Sequence, residues 1–565
     1  MEKSLSEVHD SVDTTGRLPW FRRLFSFLGP AYLVSVGYMD PGNWATDLAG
    51  GSEFGYKLLW VLLLSNILAL VFQSLSARLG VVAKRDLAQQ SREAYPKFAV
   101  WILYVLAEIA IIATDLAEVL GMAIGLNLLF GLPMLWGVTL TVLDSILLLF
   151  LMRLGIRKVE AFILGLVGII GGAFVVELFL ARPEPSAVLS GFIPSLPDAR
   201  ALYIAIGMIG ATVMPHNLYL HSALVQTRKV GKSLKDVARA IKFNLVDSAL
   251  ALNMAFFVNA AILILAAAAF HQNGLFSISE ISDAYKLLQP LLGSTLAPVL
   301  FAVALIAAGQ SSTITGTLAG QIVMEGYLNL RIAPWLRRLI TRLLAILPAW
   351  FAIYFFGSGT TGPLLVLSQV VLSLQLGFAV IPLILFVSDR AIMQSFTISR
   401  ILRFVSWAGA LLIVALNLKL VVDELSAWRA SLSAAWIVDF VLFPLVFALL
   451  AFLVFLAVFP SLSRRKAKEI PVPHALLSDS RFSPEPDFFR VGNGPSKFAR
   501  IMVGLDFSDA DMIALRAALE QGGKKARYLL FHVNESPASS VYGVDTENLE
   551  SEVDARNIEY YASLL

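Results

Sequence analysis

Apolar runs of about 20 residues, enough to carry an α-helix across a hydrocarbon core of roughly 30 Å, recur twelve times in this chain. They lie near 24–50, 56–80, 98–126, 132–152, 159–181, 200–227, 246–270, 294–322, 338–356, 362–388, 402–422 and 434–459. In lipid an unpaired backbone group costs several kcal/mol, so a spanning segment must satisfy its own hydrogen bonds. The expectation is an all-α polytopic membrane protein. Composition agrees: the 565 residues are 57 % hydrophobic and 15 % charged, against about 45–50 % and 25 % in soluble domains. Cysteine is absent, which excludes disulfides, thiolate metal ligands and cysteine catalysis. Residues 1–23 read as a cytoplasmic tail, polar and acidic up to Arg17, Arg22 and Arg23. No small-residue cleavage site follows the first apolar run, so it reads as a retained helix and not a signal peptide.

Lysine and arginine alternate between the two sets of connecting loops. One set carries Arg78, Lys84, Arg85, Arg92 and Lys97, then Arg153, Arg157 and Lys158, the stretch from Arg228 to Lys242, and Arg331 to Arg342. It ends with Arg390, Arg400 and Arg403, then Arg464, Arg465, Lys466 and Lys468. The opposite loops hold Lys57, Arg182, Arg200, Lys286 and Arg429. Positively charged loops stay in the cytoplasm. Twelve spans in the cell (inner) membrane with both termini cytoplasmic fit this bias.

After the twelve-span region, 24–460, residues 461–498 are rich in Ser, Pro and charge and read as a linker. In 499–565, "FARIMVGLDFSDADMIALRAALEQGGKKARYLLFHV" reads as strand, turn, helix, strand, with an N-cap between Asp506 and Asp509. This resembles the opening of the universal stress protein family, whose members often bind nucleotide. The later glycine-rich phosphate loop is not among these residues, so nucleotide binding is not expected of this partial α/β module.

Two of the spans are broken at matching places. "GYMDPGNWATDL", Gly37 to Leu48, puts Asp40-Pro41-Gly42-Asn43 at about mid-membrane depth. "IGMIGATVMPHNLYLHSAL" does the same with Met214-Pro215-His216-Asn217. Proline removes an amide donor and clashes with the preceding turn, so carbonyls near Gly37 and Ala211 would lack helical partners. A lone proline usually makes only a kink. Two matched breaks, one carrying a midplane acid, point to more. They start five spans apart, an odd number, so the halves 24–181 and 200–388 have opposite orientations. That is the pattern of a 5+5 inverted-repeat transporter of LeuT type, with helices 11 and 12 (402–459) added and substrate held at midplane between discontinuous helices.

A cation would satisfy the freed carbonyls. Asp40 and Asn43 offer hard oxygens that suit Mg²⁺ or Ca²⁺ as well as Mn²⁺. The Met214 thioether is soft and favours Mn²⁺, Fe²⁺, Co²⁺ or Cd²⁺, although a buried Met alone is most often packing.

"DPGNWATDL" and "GATVMPHNLYLHS" resemble the signature segments of the Nramp (natural resistance-associated macrophage protein) family, over roughly 20–460. The resemblance implies proton-coupled uptake of Mn²⁺ and Fe²⁺. It also implies a metal site of Asp40, Asn43, Met214 and the carbonyls of Gly37 and Ala211, joined by a tenth-helix glutamine. Gln369 is the preferred alignment and Gln375 the competitor. Family members have Pro where Gly377 stands.

The third span, "YVLAEIAIIATDLAEVLG", carries Glu108, Asp115 and Glu118. At about 100° per residue, Asp115 falls about 20° from Glu108 and Glu118 about 80° from it, so all three share a stripe. Buried acids are proton-carrier candidates or members of structural ion pairs. Arg337, Arg338 or Arg342 could partner them under either reading. In the resemblance these acids and a ninth-helix arginine form the proton exit path, with Asp40 at its start. His216 is a further proton candidate or a helix-break histidine that helps gating, and His221 is a weaker one. Gln73 and Asn259 read as path lining or interhelical hydrogen bonds. "GQSSTITGT", Gly309 to Thr317, reads as close packing or a watery passage.

The functional expectation is alternating-access import of divalent metal with protons. Metal and H⁺ are substrates, no cofactor is expected, membrane lipid is the surrounding partner, and nucleic acid is not one. No nucleophile–base constellation marks an enzyme. Two alternatives remain: an amino-acid or amine transporter of the same fold, whose substrate carboxylate an acid at position 40 would repel, and a metal sensor or channel-like protein.

Overall fold

The computed structural model describes residues 12–13, 27, 29–143, 156–231, 233–276, 278, 280–330, 334–431, 435–469, 498, 500–505, 515, 517–519, 521 and 527–532. Two units divide the chain, Met1–Phe459 and Pro460–Leu565. Among the described residues, ten stretches are long and apolar enough to cross a membrane. The first of them, Pro41–Ala83, joins the second half of span 1 to span 2, and span 4 is described only as Met134–Leu143. Splitting the first and counting the fourth gives the twelve expected.

In the first unit the broken span 1 comprises α1 (Pro30–Ser35), a 3₁₀ turn (Gly37–Met39) and α2 (Pro41–Phe54). Span 2 is α3 (Leu59–Ala83), followed by a short helix α4 (Leu87–Ala94) that the apolar pattern does not announce. Spans 3, 4 and 5 are α5 (Lys97–Phe130), α6 (Met134–Leu140) and α7 (Ile156–Ala181). Span 6 breaks into α8 (Ala199–Val213) and α9 (Pro215–Leu224), and span 7 is α10 (Leu234–Ala269). An amphipathic helix α11 (Ile281–Leu292) precedes span 8, α12 (Leu296–Leu328). Spans 9, 10 and 11 are α13 (Pro334–Phe356), α14 (Thr361–Val387) and α15 (Arg400–Ser431). Span 12 ends in α16 (Phe443–Glu469).

The packing repeats under a shift of five spans. Span 1 packs on span 7 as span 6 packs on span 2; span 1 packs on span 5 as span 6 packs on span 10; span 3 packs on span 10 as span 8 packs on span 5. Spans 2 and 7, and spans 3 and 8, pack on each other. Such paired contacts are what two inverted five-helix halves produce, so the LeuT-type repeat read from the two prolines is present in the packing. The apolar core is one large cluster centred on these spans. Helix α14 runs unbroken past Gly377, which packs against Val414 and Leu453, and accommodates Pro382 further on. The missing proline therefore leaves a regular helix at that level.

In the second unit, β3 (Arg500–Leu505) pairs in parallel with β4 (Arg527–His532). Val503, Leu515 and Ala518 form a small core, flanked by Ile501, Tyr528 and Leu530. Parallel neighbours require a crossover, which agrees with the strand–helix–strand reading. The proposed N-cap at Asp506–Asp509 lies outside the described residues, as do residues 470–497, most of the linker read over 461–498. A two-residue bridge in the first unit, β1 (Val12–Asp13) on β2 (Arg228–Lys229), ties the N-terminal segment to the end of span 6.

Candidate metal centre

Both breaks follow one construction. Pro41 and Pro215 occupy the first helical position of α2 and α9, where a missing N–H costs nothing. Four residues back lie Gly37 and Ala211, whose carbonyls would have taken those protons. Ala211 is thus left opposite Pro215, while the Met214 amide bonds back to Gly210 at 3.2 Å. Gly37 is a partial correction to the expectation. Its carbonyl accepts a long 3.3 Å bond from the Asp40 amide inside the 3₁₀ turn, which still leaves one lone pair on the oxygen.

Asp40 is the N-cap of α2. Its extended backbone turns the carboxylate back over the helix start, where Oδ1 accepts from the Asn43 amide at 2.8 Å. The other oxygen, Oδ2, is buried without a hydrogen-bond partner, and so is Asn43 Oδ1. The two breaks touch through glycine. A Cβ on residue 37 would lie 3.2 Å from Met214 Sδ and would overlap the Asn217 amide. Asn217 Nδ2 in turn lies 3.6 Å from that sulfur and donates to the Val34 carbonyl at 3.3 Å. A Cβ on Gly42 would overlap the Gln369 side chain, so the Gln369 amide lies against the start of α2, with Oε1 buried and unpartnered. Gln375 lies farther along α14, near Tyr219. Of the two aligned glutamines, Gln369 is the one at the break. Asp40, Asn43, Met214 and Gln369 are at most 1 % exposed.

Aromatic rings hold α2 in place. Trp44, fully buried, donates Nε1–H to the Met39 carbonyl at 3.2 Å. It meets Phe174 edge-on at 4.9 Å and Phe301 at 5.1 Å. Tyr38, in the 3₁₀ turn, receives Gln73 Nε2 on its hydroxyl and Asn259 Nδ2 on its carbonyl at 2.8 Å. Gln73 Oε1 contacts His221 Nδ1 at 2.8 Å. Of the two readings for Gln73 and Asn259, these contacts favour interhelical bonds that tie the break to spans 2 and 7.

The third-span acids are paired unevenly. Arg337 reaches both oxygens of Glu108, at 2.9 and 3.1 Å, and its guanidinium lies over Gly320. Arg342, fully buried, stands 3.5 Å from Glu118, which also accepts from Ser312 at 2.9 Å and Thr313 at 3.0 Å. The small, hydroxyl-rich stretch of span 8 therefore serves as a donor surface for Glu118, a use that its composition does not reveal. Asp115 is fully buried and within electrostatic reach of His216. His216 has Nδ1 3.4 Å from the Thr114 hydroxyl and a buried Nε2 without a partner. His216 thus stands between the break and the acid stripe. The side chain of Arg338 lies outside the described residues.

Sequence reasoning missed a polar clasp at the other end of α1. Asp247 accepts from the amides of Gly29 at 3.3 Å and Ala31 at 3.0 Å. Beside it Arg228, 1 % exposed, donates to Glu160 at 2.9 Å. Gly29, at φ 137°, has no room for a side chain against that ion pair. The signal available in the sequence is the acids within apolar spans, Glu160 and Asp247; Arg228 reads there only as a loop charge.

Among the described residues no three His, Cys, Asp or Glu side chains come together. The residues gathered at the breaks are one carboxylate (Asp40), two amides (Asn43 and Gln369) and a thioether (Met214).

Comparison with known proteins identifies the family. Residues 31–423 match the family model described as natural resistance-associated macrophage protein-like. The chain is 54 % identical over 423 residues to the divalent metal cation transporter of Agrobacterium fabrum, covering 74 % of this chain and 92 % of that one. It is 53 % identical over 428 residues to the divalent metal cation transporter of a Nostoc species, covering 75 % and 97 %. A crystal structure of the Eremococcus coleocola manganese transporter superposes with a TM-score of 0.75 at 35 % identity, covering 81 % of this chain and 99 % of that one. The chain belongs to the Nramp family.

Proposed function

We propose that this protein imports divalent transition-metal ions, Mn²⁺ and Fe²⁺ foremost and Cd²⁺ and Co²⁺ with them, by alternating access across the cell membrane. The carrying observation is the set of buried acceptors left open at the paired breaks: Asp40 Oδ2, Asn43 Oδ1 and Gln369 Oε1, beside the Met214 sulfur. A buried acceptor without a donor is costly, and a cation removes that cost. The thioether favours softer ions over Mg²⁺ and Ca²⁺. Gly37 and Ala211 would add carbonyl oxygens.

Protons accompany the metal in this reading. The route runs from Asp40 or His216 toward Asp115, Glu118 and Glu108, with Arg337 and Arg342 holding the outer members of the stripe and Arg338 a further candidate. The lysine and arginine bias supports cytoplasmic termini and an inner-membrane location. Gating would use the two closures. Release of Gln369 from Gly42 opens one side, and release of α1 from Asp247 opens the other. The strand–helix–strand module within 499–565 is of universal-stress-protein type in this reading.

Uptake into proteoliposomes tests the proposal. Mn²⁺ should enter with acidification of the lumen, and Asp40→Ala should abolish both. Uptake of Mn²⁺ without acidification would remove the coupling, and full uptake by Asp40→Ala would remove the site. Transport of an amino acid in place of metal would favour the alternative substrate class.

A further inference from the structure

Asp47 is a second buried acid on α2 that the metal centre does not use. It follows Asp40 by seven residues, about two helical turns and 10 Å along the axis, and at about 100° per residue falls only about 20° from it. Asn43 lies between them, about 40° from Asp47 on the same side of the helix. Asp47 is 1 % exposed, and its Oδ2 is buried with no hydrogen-bond partner. The position explains nothing structurally. Asp47 is beyond the first turn of α2, too far in to cap it, and Asp is a poor interior helix residue. One turn further on, the face reaches Gly51, where a Cβ would meet Leu263, Ala266 and Ala267 of α10, three residues with apolar side chains. Asp40 and Asp47 are close enough for their charges to repel, and among the described residues no lysine or arginine acts on either carboxylate.

We propose that Asp47 is an entry waypoint for the incoming divalent cation. It captures the ion on the non-cytoplasmic side and passes it down the face of α2 to Asn43 and Asp40. A stripe of like charges facing an apolar wall concentrates a cation and quickens its capture. The arriving ion also screens the repulsion between the two carboxylates. When Gln369 closes over Gly42 the waypoint is buried with the centre, as it is here. This inference rests on the metal-transport reading above, and it adds a residue to the approach, not to the centre itself.

Asp47→Asn keeps the shape and removes the charge, and Asp47→Glu restores the charge. Each full-length variant is reconstituted after passing size-exclusion chromatography as wild type does, and external Mn²⁺ is varied at low and at high salt. Asp47→Asn should raise the external KM about tenfold while the maximal rate stays within about twofold, and should flatten the salt dependence of kcat/KM. Asp47→Glu should recover most of the loss. An unchanged KM in Asp47→Asn overturns the inference. So does an equal fall in maximal rate that Glu does not rescue, because that is the mark of a packing role. Asp40→Asn runs in parallel. If it transports like wild type, the metal-centre reading itself has failed; if it is inactive while Asp47→Asn matches wild type, only the waypoint has failed.

Discussion

Asp86 and Asp40 each begin a helix with the same local geometry. Asp86 caps α4, and its Oδ1 accepts from the Gln89 amide at 2.8 Å. Gln89 Oε1 then accepts from the Asp86 amide at 3.1 Å, which closes a capping box. Asp40 caps α2 with the same 2.8 Å bond, to Asn43. There the box stays open. Asn43 has the shorter side chain, and the Asp40 amide is already committed to the Gly37 carbonyl. The first cap uses its acceptors on its own backbone. The second leaves a carboxylate oxygen and an amide oxygen buried and available. A helix start thus becomes a cation site by what it leaves unsatisfied, and Pro41 and Pro215 ensure that the local chain cannot fill the gap.

The largest expected effect follows from removing the open cap. Asp40→Ala should lower Mn²⁺ uptake by about 100-fold or more in proteoliposomes. Its melting temperature should hold or rise, because a buried carboxylate lacking partners is costly to the fold. Loss of both uptake and fold would mean that the two caps are equivalent after all. Next in size is Gly42→Ala. Its methyl group would overlap the Gln369 amide, so closure should suffer and uptake should fall by about tenfold. Gln369→Ala in the same chain should restore part of it, and no restoration would mean that the overlap is not the cause.

Met214→Ala is expected to act more mildly on Mn²⁺, cutting uptake a few-fold. Its sharper effect falls on choice, since competition by Mg²⁺ and Ca²⁺ should rise as the soft ligand disappears. Unchanged competition would reduce Met214 to packing.

The smallest effect on transport belongs to the closed cap. Asp86→Asn keeps a good N-cap, so uptake should stay within about twofold of wild type. Its signature lies in stability. Burial lifts the Asp86 carboxyl to about 7, against the pull of its backbone bonds and Arg92, with Glu325 adding a lesser push upward. The unfolded value is about 3.9. Because the folded value is the higher one, the proton binds more tightly in the folded state. The stabilisation that follows is complete below about pH 4 and is lost as pH rises through about 7. Between these values the wild-type melting temperature should fall relative to Asp86→Asn. Parallel curves would show that Asp86 keeps its charge throughout.

Much of the centre was legible because its causes are local. Proline and glycine inside an apolar run announce a break, a matching x-Pro-x-Asn five spans later announces its partner, and an acid at that depth needs a reason to be there. The spans were legible for the same reason, since length and hydropathy act residue by residue. What stayed hidden depends on distant partners. Glu160 with Arg228, and Asp247 with the amides of Gly29 and Ala31, are joined across many residues. Nothing near any of them in sequence marks the pairing. Arg342 on Glu118 was one of three arginines at the start of span 9, and only the rotation and depth of α13 select it. Ser312 and Thr313 read as packing residues or the lining of a watery passage, because a hydroxyl carries no sign of its acceptor. The helix α11 is short and amphipathic, below the length at which a spanning pattern registers.

The central claim is that the metal binds where the two breaks leave acceptors open. Anomalous scattering from crystals grown with Mn²⁺ tests it most directly. A single strong peak within about 2.5 Å of Asp40 and Asn43 oxygens, close to the Met214 sulfur, is the expected result. A peak confined to the Asp115–Glu118 stripe, with none at Asp40, would contradict it.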